Sequence, residues 1–306
     1  LRKDHPLVAQ RLRQAVKEGL QLNIVNPTDD DLLTKVANKS IVAPYMMVKV
    51  LAEILKAAVE IKGVEKPEAL RQLIDSVGIV YSANTAIASS LIENDPAAIY
   101  LGNLSQHHPD YSSIHLLASS IAQITGASFG FLGEAANNVG AYLVGATPTF
   151  SAISTETLDG LNAAQMLGTL SDQGDKKCQA FLLMNVEPEY DTYNSQQALK
   201  TIKAAEFVVS MSAYKGDAAT YSDVLLPIAP FTETSGTYIS TEGRVQSFNG
   251  VVTPMGETRP AWKVIRVLAN LLKLEDFDYE TPEQVRTEIF PNDADISSSL
   301  NNKLEN

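Results

Sequence analysis

The chain has 306 residues, 45% of them hydrophobic and 20% charged, which supports a sizeable globular core. Twenty-four lysines and arginines against 36 aspartates and glutamates give a net charge of −12. A surface that acidic repels phosphate backbones and argues against nucleic-acid binding. No uninterrupted apolar run reaches the roughly 18 residues of a membrane span, so direct membrane insertion is not expected. The single cysteine, Cys178, excludes a disulfide framework, a CxxC zinc site and a cysteine-held iron–sulfur cluster within these residues, and fits a reducing, cytoplasmic compartment.

In chain order, Pro6 opens a helix over 6–19 with an apolar stripe through Leu7, Val8, Leu12 and Val16. A short apolar strand, 20–27, follows and stops at Asn26-Pro27. A helix leading directly into a strand is the second half of a βαβ unit whose first strand lies upstream, and the chain reads as a fragment of a longer one. The basic residues Arg11, Arg13 and Lys17 read as the solvated face of that helix. Helices are predicted over 44–60 and 67–76, strands over 77–82 and 95–102, and a helix over 109–126. An irregular Gly/Asn/Ala region (126–150) precedes a helix over 161–172. The strand 179–186, the helix 195–205 and the strands 206–212 and 223–230 complete the alternation. Apolar strands separated by helices predict an α/β, doubly wound, mainly parallel sheet. From about residue 276 the chain turns polar, with one short helix and a loose end beyond about 290.

Thr237–Thr241 and Arg244–Phe248 alternate as β-strands around a predicted two-residue loop, Glu242-Gly243, with Gly243 at positive φ. This polar ribbon, 233–250, reads as a structural hairpin. Glu233, Glu242 and Arg244 are the residues that turn and strand chemistry leave over, and Arg244 is expected to pair with Glu233 or Glu242. Elsewhere no GxGxxG follows a strand, and no P-loop or GxSxG elbow occurs. His108, Asp110 and His115 are the one superficial metal-ligand grouping. Pro109 is expected to start a helix between the first two, so they read as cap and surface residues rather than ligands.

Residues 221–272 resemble the molybdopterin oxidoreductase superfamily, whose pattern runs Ala-Asp-Val-Val-Leu-Pro and later Glu, Gly-Thr and Glu-Gly-Arg. The continuation "VQSFNGVVTPMGETRPAWKVIRVLANLL" and the stretch "GFLGEAANNVGAYLVGATP" are similar to the large iron–sulfur subunits of bacterial NADH:quinone oxidoreductases. The resemblance spans about 1–275. It implies a molybdopterin oxidoreductase-like domain over 1–275 and a polar segment over 276–306. It further implies a non-catalytic scaffold supporting electron transfer from NADH to quinone, with other peripheral-arm subunits as partners on the inner face of the plasma membrane. The subunits' iron–sulfur clusters would lie upstream. Family members carry a Gly-x-Asn-Pro turn where this chain has Asn185-Val186-Glu187-Pro188. They also carry a Gln-Asp and a Thr-Glu where it has Met211-Ser212 and Gly216-Asp217. A glutamate facing a pyrophosphate repels it, so no molybdopterin is expected. If a pterin were bound, Glu233, Gly236, Thr237, Glu242 and Arg244 would be the contacts. The enzymatic alternative is a molybdopterin-dependent oxidoreductase such as a formate dehydrogenase. A third is a module binding another nucleotide at the strand ends.

Overall fold

The structure, a computed structural model, describes residues 1–146, 160–168 and 178–290. The loose tail beyond 290, part of the irregular region 126–150 and the end of the predicted 161–172 helix lie outside the described residues. The chain divides into two compact units, Leu1–Ala135 and Ala136–Asn306.

The first unit runs α1 (Pro6–Lys17), β1 (Asn23–Asn26), β2 (Asn38–Ile41), α2 (Met47–Lys62), α3 (Arg71–Ser76), α4 (Ser82–Glu93), β3 (Ala98–Leu101), α5 (Asn103–Gln106), α6 (Tyr111–Thr125) and β4 (Ser128–Phe131). Gly63 and Gly126, at φ of +63° and +83°, close α2 and α6 in the left-handed conformation that a β-carbon disfavours. β1 pairs with β2 and β3 with β4, both in parallel, as two separate two-stranded sheets. α2 is buried along most of its length. Its Ile54, Leu55 and Ala58 pack with Ile74 of α3, Ile87 of α4, and Leu117 and Ile121 of α6, and Val25 and Ile99 lie against the same cluster.

Residues 77–81 are irregular rather than a strand, and Ser82 opens α4. The reason is side-chain capture of the backbone. Lys56 Nζ donates to the Val77 carbonyl at 2.7 Å, and Glu53 Oε2 accepts the Tyr81 N–H at 3.4 Å. These bonds tie both ends of the segment down without a neighbouring strand.

The second unit runs α7 (Asn138–Leu143), α8 (Ala163–Met166), β5 (Ala180–Met184), α9 (Pro188–Asp191), α10 (Ser195–Lys203), β6 (Phe207–Ser212), β7 (Val224–Pro227), β8 (Gly236–Ile239), β9 (Val245–Phe248), α11 (Ala261–Leu271) and α12 (Pro282–Ile289). β5, β6 and β7 form a parallel sheet in that order, with Leu182 opposite Val209 and Val209 opposite Val224. α10, capped by Asn194 accepting the Gln197 N–H, buries Ala198 and Ile202 against Val208, Phe181 and Leu183. The fold is α/β with parallel sheets, as the alternation of elements predicts. α12 is the short helix expected after 276, capped by Thr281.

The hairpin β8–β9 is present, but its loop has three residues, not two. Ser240 and Arg244 still pair, the Ser240 N–H donating to the Arg244 carbonyl at 3.0 Å, and the Gly243 N–H donates to the Ser240 carbonyl at 2.8 Å. Gly243 at φ +80° then supplies the left-handed residue that a three-residue loop requires to return the chain to the ladder.

Candidate functional site

In parallel α/β sheets, ligands are met at the carboxyl ends of the strands, where loops leave the rigid frame. In the second unit those ends are the turns after β5, β6 and β7. Beyond β5 the chain stays tied to β6, the Asn185 N–H donating to the Met211 carbonyl at 2.9 Å while Asn185 itself takes φ +52°. Glu187 then precedes Pro188, which starts α9, and its own N–H donates to Asp191 at 2.7 Å. Its carboxylate reaches over to the turn after β6. A β-carbon on Gly216 would lie 3.2 Å from Glu187 Oε1, and Gly216 holds φ +42°. Conformation favours glycine there, and the carboxylate tip would crowd a side chain as well.

Behind this contact sits Tyr221, 8% exposed. Its hydroxyl donates to Glu189 Oε2 at 3.2 Å. Burial first, and then the carboxylates of Glu189, Glu187 and Asp217, push its phenol above the ordinary value. The other oxygen, Glu189 Oε1, is buried without a partner. Four carboxylates, Glu187, Glu189, Asp191 and Asp217, thus occupy the turns after β5 and β6, with Lys215 as the one cation in the same loops. A diphosphate needs N–H or cationic donors at this place. These residues do not fit one.

The five residues of the ribbon do not converge. Glu233 Oε2 accepts the Met255 N–H at 3.0 Å. Gly236 lies under the Phe248 ring, whose nearest carbon stands 2.8 Å from where a β-carbon would be, and Phe248 meets Tyr238 edge-on at 5.1 Å between centroids. Thr237 Oγ1 bonds Ser247 Oγ at 3.0 Å. Glu242 and the exposed Arg244 stand at the far end of the hairpin, across the strand length from Glu233. Of the two partners expected for Arg244, Glu233 is therefore out of reach. The hairpin is tied inward instead: the Ile239 N–H donates to Asn137 Oδ1 at 2.8 Å, and Ile239 packs with Leu143.

In the first unit, His108, Asp110 and His115 are likewise not assembled for a metal. His108 spends Nε2 on the Pro44 carbonyl at 3.0 Å and Nδ1 on the Asp110 N–H at 2.9 Å. His115 stacks on Phe131 and meets Phe129 edge-on. α6 starts at Tyr111 with Asp110 at the cap position, two residues later than the start expected at Pro109, and the His108 side chain is only 6% exposed, not that of a surface residue. Among the described residues no group of three or more His, Cys, Asp or Glu is placed to hold a metal ion.

Residues 1–271 match the molybdopterin oxidoreductase family, and the chain belongs to it. Over 84 residues it is 36% identical to a provisionally named formate dehydrogenase of Staphylococcus aureus strain MRSA252, a match covering 28% of this chain and 8% of that one. A counterpart in strain USA300 is 34% identical over the same length. The match therefore spans less than a tenth of these relatives. Among solved structures, acetylene hydratase from Pelobacter acetylenicus superposes with a TM-score of 0.66 at 14% identity, over 91% of this chain and 47% of that one. The formyltransferase/hydrolase complex from Methylorubrum extorquens gives 0.52 at 11% identity, over 83% and 65%. At such identities the likeness concerns the fold alone. No helix among the described residues is long and apolar enough to cross a membrane.

Proposed function

We propose that this is a cofactor-free scaffold domain of the molybdopterin oxidoreductase family, carried in the large iron–sulfur subunit of an NADH:quinone oxidoreductase. The observation that carries the reading is the carboxylate of Glu187 set against Gly216, with Glu189 and Asp217 around the same turns. An anionic cofactor brought to those strand ends meets like charge in place of donors. In this reading the iron–sulfur clusters belong to other parts of the polypeptide, the partners are neighbouring peripheral-arm subunits, and the assembly lies on the inner face of the bacterial plasma membrane.

A second reading is favoured by the names of the relatives, which support it more directly than they support the first. It makes the chain part of a molybdopterin-dependent oxidoreductase of the formate dehydrogenase kind, with the pterin held away from the Glu187 turn. Isolation of the affinity-tagged full-length polypeptide from its native membranes separates the two. The first reading expects NADH-dependent quinone reduction by the isolated complex and no reduction of a dye by formate. Formate-dependent dye reduction without NADH activity establishes the second.

A further inference from the structure

Asn249-Gly250, directly after β9, is the single Asn-Gly pair in the chain. Asn249 is exposed, and among the described residues neither its carboxamide nor the Gly250 N–H meets a hydrogen-bond partner. The residues on either side are held. The Phe248 ring lies over Gly236, and the Val251 N–H donates to the Thr232 carbonyl at 2.7 Å. Two unbonded residues thus sit between two fixed points.

Packing dictates the glycine. A β-carbon at 250 would lie 3.1 Å from the Glu233 carbonyl carbon and from the Thr234 nitrogen, main-chain atoms that cannot swing aside as a side-chain tip can. The same absence of a β-carbon leaves the Gly250 nitrogen unshielded and its backbone free to turn towards the asparagine side chain. Other asparagines stand differently. Asn194, followed by Ser195, accepts the Gln197 N–H at 3.1 Å. Asn94, followed by Asp95, donates to the Ser90 carbonyl at 2.7 Å. Each has a side-chain bond to give up and a next residue whose β-carbon crowds the nitrogen.

We propose that Asn249 is a modification site, deamidated through a cyclic imide with Gly250, and that its isoaspartate product unlocks the base of the hairpin. The Gly250 nitrogen attacks Asn249 Cγ. The N–Cγ bond forms, the Cγ–Nδ2 bond breaks, and Nδ2 leaves as ammonia with the proton that the Gly250 nitrogen loses. Water then opens the imide, and nothing is oxidised or reduced. Opening at Cγ gives aspartate on the original backbone. Opening at the main-chain carbonyl carbon routes the backbone through Cγ as isoaspartate, longer by one carbon or about 1.5 Å. Either product adds a carboxylate to a chain of net charge −12, where Gly250 runs against the Glu233 backbone. Only the longer backbone fails to fit the span between Phe248 and Val251, and it releases the bond from Val251 to Thr232.

The test ages the full-length polypeptide in mildly alkaline oxygen-18 water, beside the free peptide Ser-Phe-Asn-Gly-Val-Val. Mass spectrometry with fragmentation that separates aspartate from isoaspartate maps the products. Asn249 is expected to convert fastest of the asparagines among the described residues, within about tenfold of the peptide's rate. Isoaspartate is expected among its products, and Asn249→Gln, whose longer side chain disfavours this ring, should abolish conversion at the position. Hydrogen exchange at the Val251 amide should be at least about tenfold faster in the isoaspartate fraction than in Asn249→Asp protein. Conversion more than tenfold slower than in the peptide, faster conversion at Asn194 or Asn94, or equal Val251 exchange in the two proteins each overturn the proposal.

Discussion

Glu187 Oε1 lies 3.2 Å from the point where a side chain on Gly216 would begin, so the turn after β5 closes onto the turn after β6 through a carboxylate. Gly216→Ala tests both demands on that glycine. The positive φ with ψ −155° alone costs an L-residue about 1–3 kcal/mol. The contact adds less, because the glutamate tip can swing away. Thermal melting should show a loss of several degrees. Glu187→Ala in the same background should restore only the smaller, contact part. Full restoration would mean that backbone strain is not the main term.

At the hairpin, Gly243 holds φ +80° in the three-residue loop. Gly243→Ala should cost about 1 kcal/mol or more, with Asn tolerated better than Ala. Arg244→Ala, at an exposed side chain, should cost about 0–1 kcal/mol. Melting curves of the three variants decide it, and the reverse order of Ala variants would contradict a purely structural hairpin.

The core of the first unit holds a polar network that the sequence gives no reason to expect. Glu53, 1% exposed, accepts from Asn84, 2% exposed, at 2.7 Å, and Ser40 bonds the same asparagine. Asn84→Ala leaves the buried Glu53 side chain with only the long 3.4 Å bond from the Tyr81 N–H and should cost about 2–4 kcal/mol in chemical denaturation. Glu53→Gln keeps the shape and an acceptor oxygen for Asn84, and should cost less than Asn84→Ala.

Tyr221 links stability to alkaline pH. Burial and then the nearby carboxylates raise its phenol above the ordinary value of 10.0. A group raised in the folded state contributes stability that is fully present below its unfolded value and is lost as pH rises towards the folded one. At neutral pH, Tyr221→Phe should be less stable by about 1 kcal/mol, the worth of the bond to Glu189. As pH climbs above 10 the gap between the two proteins should close. A gap that stays constant from pH 8 to 11 would contradict a buried, carboxylate-flanked phenol.

The parts of the fold legible in the sequence are those with strong patterns. α2 and α6 carry broad apolar faces, β5 and β7 are continuous apolar runs, and β6 is one interrupted by Ser210, of the kind a sheet buried on both faces requires. β2, with the sequence Asn-Lys-Ser-Ile, and β4, Ser-Phe-Gly-Phe, have no such signal. They become strands because β1 and β3 offer them an edge. α4 is rich in Ser, Ala, Asn and Thr and lacks a clear stripe, so it was invisible, while the β-branched residues of 77–82 pointed to a strand that side chains replace. At the site, the glutamate in the turn after β5 was legible as a misplaced charge. Its approach to Gly216, and the bond from Tyr221 to a Glu189 32 residues away, depend on the β5–β6–β7 register, which local patterning does not encode.

The central claim is that the acidic strand ends of this domain exclude the family's pterin. Full-length protein purified from its native source should be assayed for molybdenum and, after oxidation, for pterin fluorescence, each per polypeptide. The account predicts far below one equivalent of both, with no recovery of either when Glu187→Asn is the only change outside the turn's remaining carboxylates. About one equivalent of molybdenum and pterin in the unmodified protein would contradict it.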